Sequence, residues 1–260
     1  MTFLTTKLMG GLGNYLFQIA STYSKSIDDN LNFILDIDDI TIIHSNPNNY
    51  KNNIFRKLNF QTLNVQYSLF NEPSFNYTMT PKFNDNTKMV GYFQSEKYFS
   101  NNREKILNIF SIDETTNNLI KSKYNDIVNN NSCSIHVRRG DYLNLSQYHP
   151  TQSIEYYKES IRIVGEDFHF LIFSDDINWC KENLSFIKNK TFIEGNTDYQ
   201  DLYLMTMCQN NIIANSSFSW WGAWLNKNEN KKVISPKLWF GEKNKHLITD
   251  DLYCKNWIVI

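Results

Sequence analysis

The sequence predicts an α/β protein built on parallel sheet, and three observations carry that prediction. The second half alternates short apolar runs with helix-like segments, the pattern of strands joined by helical crossovers. The N-terminus reads strand, glycine-rich turn, helix. Three apolar runs of the second half end in polar clusters, which a parallel sheet gathers on one edge. At 260 residues the chain suffices for one large domain or two small ones. The asparagine-rich residues 129–132 mark the boundary, giving an N-terminal lobe of residues 1–130 and a C-terminal lobe of residues 131–260.

In the N-terminal lobe, residues 3–9 form the first expected strand. Gly10-Gly-Leu-Gly-Asn14 follows, then a helix from Tyr15 to about Ser26 with Asn14 as its N-cap. Leu16, Ile19, Ala20 and Tyr23 supply its apolar face. Gly11 and Gly13 are candidates for presenting backbone N–H groups to an anion. They spell neither a dinucleotide fingerprint nor a P-loop, so a plain tight turn is the competing reading. Residues 33–36 form a second strand running into Asp36-Ile-Asp-Asp39. Those carboxylates are a metal motif or, the blander reading, a solvated strand end. Residues 40–90 show little periodicity, and His44 there has no companion ligand. Gly91-Tyr-Phe-Gln-Ser-Glu-Lys-Tyr-Phe99 is dense in aromatic and polar groups, and helices are expected over 101–128.

The C-terminal lobe opens on Cys133-Ser-Ile-His-Val-Arg-Arg-Gly-Asp-Tyr142, an apolar run ending in four ionisable groups. The planar forks of two arginines suit a phosphate or diphosphate, with a surface ion-pair cluster as the alternative. Strands follow at 168–173, 191–193, 211–214 and 232–235, with helices at 153–164, 177–184, 198–208 and 220–225. The strand-end clusters are His136 with Arg138, Ser174-Asp175-Asp176, and Asn215 with Ser216, Ser217 and Ser219. Hydroxyls and N–H groups at a helix start suit a diphosphate, and carboxylates such as Asp175 suit ribose hydroxyls or a purine edge.

The 26 basic and 27 acidic residues leave a net charge of −1, so no global positive field points to nucleic acid or an anionic membrane surface. Any basic site is therefore local. No charged-then-apolar leader precedes Gly10 and no apolar run approaches membrane-spanning length, so a cytoplasmic protein is expected, peripheral to a membrane where one carries its acceptor. The four cysteines lack metal-ligand spacing and read as free thiols.

With these blocks in order, the chain resembles the bacterial-type α-1,2-fucosyltransferases of glycosyltransferase family 11. Gly10-Gly-Leu-Gly-Asn-Tyr-Leu-Phe-Gln-Ile-Ala20, the Gly91–Phe99 block, His136-Val-Arg-Arg-Gly-Asp-Tyr142, the 173–180 block, the 211–225 block and Asp251-Leu-Tyr-Cys-Lys-Asn-Trp257 carry the resemblance. It implies a GT-B architecture, two Rossmann-like lobes facing each other across a cleft, with the last residues packing back on the N-terminal lobe. It implies GDP-fucose as donor, a galactose-terminated oligosaccharide as acceptor, inversion at the anomeric carbon and no required metal. By the same resemblance Arg138 neutralises the departing diphosphate, and His136 and Asp201 sit near the nucleotide. Ser216, Ser217 and Ser219 line the diphosphate, and Asn14 faces the fucose and acceptor. Asp141 is the nearest candidate base and His149 a second, with Asp141 as an anchor for the arginines the competing role. Tyr15 stands where the family commonly has glutamine, either facing the acceptor or packing on the lobe.

Overall fold

Residues 2–36, 40–42, 45–129 and 131–260 are described by a computed structural model of the chain. Asp38, Asp39 and His44 lie outside these residues. The chain divides into two compact units, residues 1–113 with 248–252, and residues 114–247 with 253–260.

The first unit holds β1 (Phe3–Thr6), β2 (Leu8–Gly10), α1 (Leu12–Asp28), β3 (Asn32–Phe33), β4 (Leu35–Asp36), β5 (Ile40–Ile42), β6 (Phe60–Gln61), β7 (Ser68–Asn71), β8 (Thr87–Val90) and α2 (Arg103–Ile109). Four of its strands form a parallel sheet in the order β3-β1-β8-β7, with parallel pairs β2-β5 and β4-β6 beside it in sequence. α1 buries Leu12, Tyr15, Leu16 and Ile19. It starts at Leu12, not at Tyr15. Extended Gly11 is its N-cap and makes no side-chain cap bond, so Asn14 lies inside the first turn instead of capping it. Fully buried Gln18 accepts from the Met9 N–H at 3.0 Å and donates to the Met9 carbonyl at 3.2 Å. That double bond clamps the end of β2 to α1 and fixes the turn between them. Asp36 forms an ion pair with buried Lys88 at 3.6 Å, so this carboxylate is committed to the core and not to a metal.

The second unit holds α3 (Glu114–Val128), β9 (Ser132–Val137), α4 (Ile154–Val164), β10 (His169–Ser174), α5 (Ile177–Asn183), β11 (Lys190–Phe192), α6 (Asp198–Met207), β12 (Asn210–Ile212), α7 (Ser217–Leu225), β13 (Val233–Ser235) and β14 (Ile258–Val259). All six strands run parallel in the order β11-β10-β9-β12-β13-β14. Relabelled by chain order this is 3-2-1-4-5-6, the doubly wound nucleotide-binding arrangement. Every residue of β9 is buried, as a central strand requires. Ile135, Val137, Ile161, Ile172 and Ile212 belong to one core cluster. α7 is apolar nearly all round, and Trp220 and Trp221 are fully buried with their rings 5.2 Å apart.

The division falls between Asp113 and Glu114, not at residue 130. α3 goes with the second unit because it packs on α6, where the Tyr124 hydroxyl meets the Asn196 amide oxygen at 3.3 Å. At the other end, residues 248–252 go with the first unit. There Asp251 accepts from the Tyr77 N–H at 3.0 Å and pairs with Lys97. Residues 253–260 go with the second unit and add β14 to its sheet. Among the described residues no helix is long and apolar enough to cross a membrane.

Candidate active site

The strand order of the second unit reverses between β9 and β12, and open α/β sheets bind ligands outside the carboxyl ends of the strands at that point. His136 and Arg138 end β9, Asp175 and Asp176 follow β10, and Asn215 to Ser219 follow β12. The sequence clusters therefore meet on one edge.

Arg138 is the centre of the cluster. It donates through one terminal nitrogen to Asp141 at 2.7 Å, and its other terminal nitrogen forms an ion pair with Asp175 at 2.9 Å. These side chains are about a third exposed, where ion pairs add less than about 1 kcal/mol each. The clamp therefore sets the orientation of the guanidinium more than it stabilises the fold. Among the described residues its one hydrogen bond is to Asp141, which leaves most of its five N–H donors for an anion. Asp175, expected to meet the nucleotide, instead holds Arg138 and accepts from the Arg139 N–H at 2.8 Å. A Cβ on Gly140 would lie 2.6 Å from the Asp175 carboxylate, which would have to shift out of its place against Arg138. Arg139 turns away from Arg138's partners, pairs with Asp176 at 3.1 Å and stacks over Trp179 at 4.0 Å. Asp176 also caps α5 by accepting from the Trp179 N–H.

His136 is buried, and its Nδ1 has no hydrogen-bond partner among the described residues. Burial, followed by the nearby Arg138 charge, pushes its pKa down to about 3, so the ring is neutral near pH 7. A neutral imidazole in the folded state binds fewer protons than the unfolded chain between pH 3 and 6.5. Stability therefore rises with pH through that window: the contribution is fully present above about pH 6.5 and is lost as pH falls through it toward 3. A His136→Gln protein is expected to lose stability less steeply between pH 6.5 and 4.5, by at most about 1.4 kcal/mol per pH unit, as read by urea unfolding at several pH values. Asp201 and Glu72, with pKa values raised by burial to about 6 and about 7, act with the opposite sign in both proteins and cancel in the comparison.

α7 presents its N-terminus to the same edge. Ser216 is the N-cap and makes no side-chain cap bond, so the first-turn N–H groups are not closed by their own cap. Ser216 and Ser217 form the start of α7 on this edge. Ser219 departs from its expected role: it is buried, and its hydroxyl donates back to the carbonyls of Ser216 and Ala214 at 3.3 and 3.5 Å. Asn215 departs further. It is buried, it donates to the Pro150 and Trp239 carbonyls at 2.9 and 3.0 Å, and it accepts from Gln152 at 2.9 Å. Both amide hydrogens are committed to holding loops, so Asn215 is a scaffold and not a donor ligand.

Tyr142, which the sequence left unassigned, joins these elements. Its hydroxyl donates to the Asn215 carbonyl at 3.0 Å, and its ring lies 5.3 Å from the Arg138 guanidinium carbon and stacks on His149 at 5.0 Å. His149 also meets Phe240 at 5.8 Å. Burial lowers its pKa and keeps it neutral. Asp201 sits in the first turn of α6, at the same sheet edge but beyond β11, and accepts from Asn196 at 2.9 Å. Burial raises its pKa to about 6.

Gly11, Gly13 and Asn14 belong to the first unit. There the conformationally special glycine is Gly10, at φ +93°. A Cβ on Gly10 would lie 2.3 Å from the Asn14 amide nitrogen. Asn14 accepts from Gln94 at 2.9 Å. Tyr15 packs: it is fully buried, and its hydroxyl donates to the Ser45 carbonyl at 2.7 Å.

A doubly wound parallel sheet with an arginine and an open helix N-terminus at its switch point is an arrangement common among nucleotide-handling α/β proteins. The chain belongs to glycosyl transferase family 11, whose profile matches residues 1–260. It is 32% identical over 292 aligned positions to an Escherichia coli alpha-1,2-colitosyltransferase, covering 100% of this chain and 99% of that protein. It is 30% identical over 101 positions to galactoside alpha-(1,2)-fucosyltransferase 1 of Leontocebus fuscicollis, covering 35% of this chain and 28% of that one. Among solved structures it is similar to the alpha-1,6-fucosyltransferase NodZ of Bradyrhizobium co-crystallised with GDP, with a TM-score of 0.59, 14% identity, and 85% and 91% of the two chains covered. The fold is thus the expected GT-B class, and the protein is a glycosyltransferase.

Proposed function

We propose that this protein transfers L-fucose from GDP-fucose to the 2-hydroxyl of a galactoside, with inversion and without a metal ion. The observation that carries the reading is the pairing of Arg138 with the N-terminus of α7 on either side of the β9/β12 switch point. Both suit an anion; the relatives' names point to the sugar, and the solved structure co-crystallised with GDP points to the nucleotide. The acceptor O2 attacks the fucose anomeric carbon as the bond to the β-phosphate oxygen breaks, and GDP leaves with the electron pair. Arg138 and the N–H groups of α7 meet the charge that grows on the β-phosphate. Asp141 and Asp175 orient Arg138. Because Asp141 is engaged at 2.7 Å, the anchor reading accounts for it better than that of proton acceptor. His149, neutral and without a side-chain hydrogen-bond partner among the described residues, is the better candidate to take the acceptor proton. A dissociative transfer needs only a weak base there. His136 and Asp201 are assigned to the nucleotide, and Asn14 to the sugars.

The colitosyltransferase relative favours a second reading, in which the transferred sugar is colitose. Incubation with GDP-fucose, lactose and EDTA is expected to release GDP and form an α-1,2-fucosylated product identified by NMR. Absence of transfer to every galactoside tested, or loss with EDTA and rescue by Mn²⁺, contradicts the proposal. Preference for GDP-colitose in direct competition replaces the donor and leaves the rest standing.

A further inference from the structure

The turn after β8 is strained, and nothing in the second unit's site accounts for it. Phe93, a fully buried aromatic residue, has φ +50°, a region where bulky side chains are outliers. Glu72, directly after β7, holds it there. One carboxylate oxygen accepts from the Tyr92 N–H at 2.7 Å and the other from the Phe93 N–H at 2.9 Å. Gly91 makes room, since a Cβ there would lie 2.3 Å from the Glu72 Cβ. The Glu72 N–H continues the strand pairing by donating to the Val90 carbonyl at 2.8 Å.

The product of this turn is the position of Gln94. Its amide donates to the Asn14 side-chain oxygen at 2.9 Å. Asn14 in turn rests over Gly10, which also has a positive φ. The strained turn at Phe93 and the positive-φ glycine turn at Gly10, from segments 80 residues apart, thus converge on one amide pair. Core packing does not explain the arrangement, because Asn14 and Gln94 are both partly exposed. Joined by one bond, the pair keeps the Gln94 carbonyl as acceptor and the Asn14 NH2 as donor. A sugar hydroxyl both donates and accepts, so it complements that pair. Tyr92, in the same turn, is 40% exposed.

We infer that Gln94 is an acceptor-reading residue of the transferase, exchanging hydrogen bonds with acceptor-sugar hydroxyls beside Asn14, and that Glu72 is its positioning residue. The inference rests on the assignment of Asn14 to the sugars. It reaches further by naming a residue that selects the acceptor and the device that aims it.

The test uses the full chain. Gln94→Ala is expected to raise the KM for lactose about tenfold, the equivalent of one lost hydrogen bond. The KM for GDP-fucose and the affinity for GDP, read by calorimetry, stay within about twofold. Glu72→Gln, which can accept only one of the two N–H groups, shifts the lactose KM the same way by a smaller factor. An unchanged lactose KM in Gln94→Ala overturns the inference, as does a rise confined to the GDP-fucose KM. If Glu72→Gln does not fold, Gln94→Ala alone decides. Wild-type protein that transfers to no galactoside overturns the proposed function instead, so the two failures are distinct.

Discussion

Replacing Arg138 with alanine is expected to lower the transfer rate by about 10²–10³, the usual effect of removing a preorganised donor from developing negative charge. GDP affinity should fall by about 10- to 100-fold, since a charge-assisted bond is worth roughly 1.5–3 kcal/mol. Folding should survive. Asp141 and Asp175 are about a third exposed and remain solvated without their partner, and Asp175 still accepts from the Arg139 N–H. Arg138→Lys should recover only a small fraction of the rate, because a point charge cannot reach two carboxylates and an anion as a planar fork does. Steady-state kinetics with GDP calorimetry check this. Near-wild-type turnover in the alanine protein removes Arg138 from the mechanism.

Asn215→Ala is expected to act on stability. It strips partners from the Pro150 and Trp239 carbonyls and from the Gln152 amide. At about 0.5–1.5 kcal/mol per bond, and more where a buried group is left unpaired, the loss is about 2–4 kcal/mol. In a domain of this size that lowers Tm by roughly 5–10 °C. Activity at a temperature where the protein stays folded should fall much less than in Arg138→Ala. If Asn215 were a donor ligand the order would reverse, with stability kept and GDP affinity lost. Thermal unfolding with and without GDP separates the two.

Asn215 also shows what the sequence could not convey. A polar residue at a strand end reads equally as ligand or as scaffold until its partners are known. Those partners, at 150, 152 and 239, are distant in the chain. Ser219 is the same case on a shorter scale, a hydroxyl turned back to its own loop. The features that were legible are those with local causes. β9 and β10 are apolar runs long enough to be buried strands, and α4 carries its own N-cap in Ser153. Their polar ends follow from parallel topology. In the first unit, β8 was invisible because it is short and carries Lys88, which reads as surface. That lysine is buried against Asp36, a pairing across 52 residues. β7 is a mostly exposed edge and shows no alternation. The asparagine-rich residues 129–132 read as a boundary between two halves. Asn129 and Asn131 instead lie between α3 and β9 of one unit, and Asn131 takes a positive φ. The side-chain contacts of Tyr142 and Gln94 needed the fold, although both residues sat within motifs already noticed.

The central claim is that the second unit's switch point holds the diphosphate of the donor. A crystal structure of the protein with GDP tests it most directly. The account predicts the β-phosphate within hydrogen-bond distance of the Arg138 guanidinium and of the Ser216–Ser217 start of α7. A diphosphate seated instead on the glycine turn that opens α1, beside Asn14, would contradict it.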